Sequence, residues 1–421
     1  MYQKYQLENK MNVLLIPQEH TKAVTAMIMF PVGSRYEPEK LAGVSHYIEH
    51  LMFKGTEKRR STLALTREID RLGAEYNAFT GKEYTGYYIK TDASYIETSL
   101  DILSDMLFHS LFDPKEMERE KGPIIEEIRM YNDNPLMNIE NIFEDTLFAG
   151  CPLGRDIAGT VKHVQSYKRE DVLAFKEKYY QPSNMTLVIA GNIDEKTKDL
   201  VEQYFEKQVD TKKPITTFKP AVFGPTAKKS RIVVEQKKTD QAQLMLGFPA
   251  FDYNAEENPT VSVLNTIFGG SMSSRLFIQI RERRGLAYMI RSGRENFIDT
   301  GYVYIQAGLE PKNITKAIDV VLKEIEKLIQ KGVTKQELDD AKTHVRGAFT
   351  LAQESSSFQA NWYAKEALFA NEIHTPEEWL ELLDKVTEKD IIRIAKKIFV
   401  PSKMRVAIIG DIDGEKIREK I

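Results

Sequence analysis

Between Ser45 and Thr56 the chain reads SHYIEHLMFKGT, which places two of its seven histidines and one glutamate within five consecutive residues. The apolar residues Val44, Ile48, Leu51 and Met52 recur near helical spacing, so the segment from Ala42 to Lys54 is predicted to be a helix that Gly55 ends. Positions i, i+3 and i+4 share a helix face, and His46, Glu49 and His50 therefore project together. Two imidazoles one turn apart can both reach a single zinc ion at about 2.1 Å. The glutamate between them then borders an open coordination position, where it can take a proton from water. His20, His109, His163, His344 and His374 have no such pattern around them and read as ordinary core or surface residues.

A catalytic zinc usually has three protein ligands and one exchangeable position, so a third side chain must come from another packed element. The acidic helix PKEMEREKGPIIEEIRMYND offers Glu120, Glu126 and Glu127. On a helical wheel Ile124, Ile128 and Tyr131 form an apolar stripe; Glu127 borders it, Glu126 points nearly opposite, and Glu120 lies two turns earlier on a similar face. Glu116, Glu118 and Glu126 read as a solvated face. Gly122-Pro123 interrupts this helix in sequence, and a proline there predicts a kink or a fresh start.

These helices must be carried by a larger frame. At 421 residues the chain exceeds one compact core. The stretch from Val209 to Ser230 has three prolines and no apolar periodicity, so we expect an N-terminal domain over 1–210, a linker over 211–228 and a C-terminal domain over 229–421. Both sides follow one plan. PSNMTLVIAGNID at 182–194 and PSKMRVAIIGDID at 401–413 match at a constant offset of 219, and the helices before them, EDVLAFKEKYY and KDIIRIAKKIF, keep the same register. This is the mark of an internal duplication. The same offset sends His46, Glu49 and His50 to Asn265, Phe268 and Gly269. The repeated frame therefore does not itself require the polar cluster.

Composition excludes several classes. Hydrophobic residues at 42% and charged residues at 29% describe a globular protein. A net charge of −3 gives no electrostatic reason to bind nucleic acid or an anionic membrane. Cys151 is the single cysteine, so no intramolecular disulfide forms, and the longest mostly apolar stretch, Ala23 to Gly33, falls far short of the roughly 20 residues that span a bilayer. The start of the chain has no signal-peptide pattern. We expect a soluble protein of the cytoplasm.

The residues quoted above resemble the pitrilysin or insulinase family of zinc peptidases, whose inverted motif HxxEH defines the inverzincins; the processing-peptidase branch is the most similar. The resemblance implies an α+β fold of two homologous α/β half-domains, each a mostly antiparallel sheet packed with helices. It implies one zinc ion per chain held by His46, His50 and Glu127, with 76 residues between His50 and Glu127, and Glu49 as general base. Glu120 is carried as a further catalytic candidate. NAFTGKEYTGYY, from Asn77 to Tyr88, resembles the family's edge strand, which implies that Asn77, Ala78 and Phe79 pair with the backbone of a substrate peptide. SSRLFIQIRERRGLAYMI resembles the signature of the second half, and it implies that Arg281 and Tyr288 reach the substrate carbonyl. Arg275, Arg283 and Arg284 read as structural or solvated. The implied function is endopeptidase action on unfolded peptides or presequence-like segments inside a dimeric chamber. The partners are then a peptide or unfolded protein and a second subunit, a homodimer in preference to a heterodimer, with no nucleic acid and no membrane. A non-catalytic peptide-binding subunit of a processing peptidase, and a hydrolase acting on something other than peptides, are the alternatives.

Overall fold

The computed structural model describes residues 2–211 and 217–420, so residues 212–216 of the expected linker lie outside the described residues. Two compact units form, each assembled from separate stretches of chain. The first holds the residues up to Arg129, then 155–219 and 352–373; the second holds 130–154, 220–351 and the residues from His374 onward. Each half of the sequence thus contributes most of one unit and one helical segment to the other.

The first unit contains β1 (Gln3–Gln6), β2 (Asn12–Pro17), β3 (Ala23–Phe30), β4 (Glu75–Thr80), β5 (Thr85–Asp92) and β6 (Thr186–Gly191) in one sheet of order β1-β2-β6-β3-β5-β4. Only β2 and β6 pair in parallel; the other pairs are antiparallel. The second unit repeats the pattern with β7 (Ile232–Gln236), β8 (Ala242–Ala250), β9 (Ala287–Asn296), β10 (Gly301–Leu309) and β11 (Arg405–Gly410), in the order β7-β11-β8-β10-β9 and with β7 and β11 as its parallel pair. The offset of 219 read from the closing segments carries β6 onto β11 residue for residue.

Both sheets are covered on two faces, which is why β3 reads as the unbroken apolar run AVTAMIMF. Successive side chains of a strand alternate between faces. Val24, Ala26, Ile28 and Phe30 enter the larger core. Met27 and Met29 face the opposite way, onto Ala360, Tyr363 and Ala364 of the helix Ser356–Phe369.

Five helices need labels: α1 (Val44–Leu51), α2 (Thr62–Asp70), α3 (Ile96–His109), α4 (Pro114–Asp133) and α5 (Pro135–Leu147). In the second unit α5 lays Ile139, Phe143 and Leu147 against Met245, Ala407 and Ile409 of the sheet. Behind the edge strand of the first sheet lies α1. It is shorter than the expected Ala42–Lys54, because Gly43 adopts φ 93, in the left-handed region that closes off a helix start. The carboxylate of Glu37 accepts from the buried amides of Gly43 at 2.6 Å and Ser45 at 2.7 Å, which satisfies donors that the helix itself leaves open. The expected fresh start at Gly122-Pro123 does not occur. α4 runs unbroken through Pro123, since Met117, Glu120, Ile124 and Ile128 bury one continuous face and hold the turn together across the missing amide.

Candidate metal centre

α1 and α4 bring His46, His50 and Glu127 together. The Nε2 atoms of the two imidazoles lie 3.2 Å apart, and the Oε2 atom of Glu127 lies 3.6 Å from His46 Nε2 and 3.5 Å from His50 Nε2. Among the described residues this is the group of histidine, cysteine and carboxylate side chains whose ligand atoms converge within 4.8 Å. Ligands about 2.0–2.1 Å from a tetrahedral zinc stand about 3.4 Å from one another, and the three observed edges bracket that length. The chemistry of the donors agrees. Three electron-pair donors point at one spot, an arrangement that repels itself unless a cation or a proton lies between them.

Glu120 orients one of the ligands. Its Oε1 lies 2.9 Å from His50 Nδ1 and its Oε2 accepts from Lys54 Nζ at 2.6 Å. A proton on Nδ1 leaves the Nε2 lone pair of His50 free to face the converging group. Burial alone would lower the His50 pKa, but the hydrogen bonds to Glu120 and Glu127 outweigh it and push the pKa up. His46 shifts the other way, through burial and the neighbouring His50. Its Nδ1 is buried with no partner among the described residues. A metal ion and a proton compete for the same lone pair, so metal binding at this group strengthens as pH rises.

Glu49 sits on the same helix face and accepts a hydrogen bond from Thr80 Oγ1 at 2.5 Å. Its pKa is raised by burial, partly offset by the Thr80 bond. Thr80 closes β4, the edge strand that contains Asn77, Ala78 and Phe79 and pairs with β5 alone among the described strands. The side chain of Glu120 is more buried than that of Glu127, 8% exposed against 28%.

Two family models match the chain: residues 12–161 match "Insulinase (Peptidase family M16)" and residues 166–345 match "Peptidase M16 inactive domain". The chain belongs to peptidase family M16. It is 34% identical to a protein of Streptomyces coelicolor named an uncharacterized zinc protease, over 94% of this chain and 86% of that one. A Bacillus subtilis protein with the same description is 31% identical over 95% of this chain and 96% of its own length. The fold matches the crystal structure of a protease from Helicobacter pylori with a TM-score of 0.91 at 22% identity, covering 97% of this chain and 99% of that one. The M16 fold of two α/β units with mostly antiparallel sheets is the one observed.

Within the M16 inactive-domain stretch, Arg281 and Tyr288 are neighbours, with the guanidinium carbon 5.2 Å from the Tyr288 ring centroid. Local irregularities aim both. Arg281 lies on a π-helical turn, Phe277–Glu282, and Tyr288 is the extra residue where the pairing of β9 with β10 slips between Gly308 and Leu309. The bulge turns Tyr288 outward to 75% exposure. Two neighbouring arginines are tied to structure: Arg275 to Glu337 and the Gly332 carbonyl, and Arg284 to Gln279.

Three residues around this site escaped the reading of the sequence: Glu37, Lys54 and Thr80. Glu37 and Thr80 act from a loop and a strand end, where no periodicity marks a partner. Lys54 lies one turn beyond His50, so its nearness to the site was legible and its partner was not. Among the described residues no helix is long and apolar enough to cross a membrane, and Cys151 is buried and free.

Proposed function

We propose that this chain is a zinc-dependent endopeptidase that hydrolyses unfolded peptides or presequence-like segments. The observation that carries the proposal is the triangle of His46, His50 and Glu127 with Glu49 on the same face of α1. His46, His50 and Glu127 would hold the ion, which when bound supplies a Lewis acid that polarises a carbonyl and makes water acidic near neutral pH. Glu49 takes the proton of the attacking water and delivers it to the leaving amine nitrogen. Its raised pKa makes it a better proton acceptor than an exposed carboxylate. Glu120 keeps His50 in the tautomer that presents Nε2.

An extended peptide adds to the free side of β4 at Asn77, Ala78 and Phe79, and main-chain pairing selects unfolded segments over folded proteins. Arg281 and Tyr288 are assigned, by family resemblance and by their mutual contact, to hydrogen bonding with the oxygen of the scissile carbonyl. By the same resemblance we place the chain in the processing-peptidase branch, as a homodimer enclosing a chamber in the cytoplasm, and we take 1–210 and 229–421 as the duplicated segments. The test is metal analysis of the purified protein together with digestion of an unstructured peptide library, with and without chelator. We expect one zinc per chain, cleavage that stops with chelator and returns with zinc, and loss of zinc in His50→Ala. Bound zinc without cleavage would favour a non-catalytic peptide-binding subunit.

A further inference from the structure

Besides the His50–Glu120 bond, a buried hydroxyl joins the two helices that carry the ligands. Tyr47, inside the motif and next to His46, is fully buried, and its hydroxyl donates to the Met117 carbonyl of α4 at 2.5 Å. Its ring packs against Tyr167 with centroids 5.0 Å apart, and the Tyr167 hydroxyl donates to the Ala42 carbonyl at 2.5 Å, immediately before the Gly43 turn that starts α1. A phenol has a rigid ring and few rotatable bonds, so once both ends are fixed it acts as a spacer of set length. Met117 lies three residues before Glu120 and ten before Glu127 on one unbroken helix, so a spacing set at Met117 is passed along the helix to both carboxylates. The ligand triangle has edges of 3.2 to 3.6 Å and spans both helices, so its dimensions depend on how far α1 stands from α4. Side-chain constraints between α1 and α4 fix that spacing: the His50–Glu120 bond supplies one on the ligand side, Tyr47–Met117 supplies a second in the core, and His46, with its Nδ1 unpartnered, supplies none.

We propose that Tyr47 is a positioning residue that sets the separation of α1 from α4 and so pre-forms the His46, His50 and Glu127 group for a divalent cation. The inference rests on the metal reading given above. Phenylalanine at this position keeps the packing against Tyr167 and removes the bond to Met117, which frees α4 to shift along α1.

The experiment is a zinc titration of the metal-free full-length protein against a chromophoric chelator, with a cobalt-substituted spectrum and a metal-free melting curve for each variant. Tyr47→Phe is expected to bind zinc about three- to tenfold more weakly, the range one cross-helix hydrogen bond can deliver, and to shift the visible cobalt bands. Thr25→Val is the control. It removes an equally buried hydroxyl, which joins β3 to the helix Ser356–Phe369 through Thr25 Oγ1 and Ser356 Oγ at 2.8 Å, and is expected to lower the melting temperature while leaving zinc affinity and cobalt spectrum as in the wild type. Unchanged affinity and spectrum in Tyr47→Phe would overturn the proposal. So would equal weakening in both variants, which would make the role of Tyr47 one of general stability. Tyr167→Phe loosens the same brace at its second joint and is expected to weaken zinc in the same direction by less; wild-type affinity there overturns the proposal even if Tyr47→Phe does not fold. A wild-type protein that binds no zinc would instead sink the metal reading itself.

Discussion

In the first unit, α1 meets the edge strand β4 through a pair of side chains, Thr80 and Glu49, and the imidazoles and the α4 carboxylate converge beside them. In the second unit, the helix Asn258–Phe268 meets the edge strand β9 through the backbone carbonyls at its C-terminal end. Ser292 donates its amide to the Gly269 carbonyl at 3.0 Å and its hydroxyl to the Asn265 carbonyl at 3.1 Å. Asn265, Phe268 and Gly269 are the offset partners of His46, Glu49 and His50, and the strand has closed over them. A cavity of about 10 Å³ is left between this helix and the sheet, lined in part by Leu264, Phe268, Val303 and Phe399. That is room for one water at most. One sheet pattern, used twice, therefore supports a polar pocket when side chains bridge helix to edge strand, and a filled core when backbone does.

The contrast also reaches the start of each helix. Glu37 is buried and caps α1, whereas its offset partner Glu256 is exposed. A buried acid held next to backbone donors belongs to the unit that must fix its helix in place.

Three changes would break or sharpen this comparison. The largest effect is expected from Glu49→Gln, which should cut peptide turnover by about 10³-fold and leave zinc content as in the wild type; turnover at the wild-type rate would remove Glu49 from the role of base. Next comes Glu37→Gln. Burial pushes the Glu37 carboxyl from an ordinary 4.5 up to about 7, against the pull of the Gly43 and Ser45 amides. The folded protein thus holds this proton more tightly than the unfolded chain does. The stability it contributes is fully present below pH 4.5 and is lost as pH rises through about 7, a change on the order of 3 kcal/mol. The melting-temperature difference between wild type and Glu37→Gln should fall across that window and level off outside it, and a flat difference would show that Glu37 is not buried as described. The smallest effect belongs to a graft, Asn265→His with Gly269→His. A β-carbon at Gly269 meets Ser292 Oγ, N and Cβ at 2.7, 2.8 and 2.9 Å, so the graft should lower stability by about 1–3 kcal/mol and add no second zinc. A second equivalent of metal would mean that the pocket of the second unit can reopen.

Much of this was readable from residue order. The matched closing segments announced two sheets of one design, because helix, turn and strand repeated at a single offset can hardly arise without a shared fold. HxxEH on a helix placed three side chains on one face, and the 3.6-residue period selected Glu127 and Glu120 from an acidic helix. What stayed hidden depended on partners distant in sequence. The period of α4 could not show that packing would carry it through Pro123. The helix Ser356–Phe369 spreads its apolar residues around its circumference and buries Ser356 and Glu366 as well, so its pairing with β3 and β6 had no local signature. Glu37 sits in a loop, where hydrogen bonds follow geometry that no repeat encodes.

The crossing of helical segments bears on how the chain can be divided. A fragment ending near residue 211 would lack Ser356–Phe369 and leave Leu14, Met27 and Val188 open to water, and a fragment starting near 217 would lack α5 over Met245 and Ile409. Neither piece is a self-sufficient module. Co-expressed, the two should complement one another.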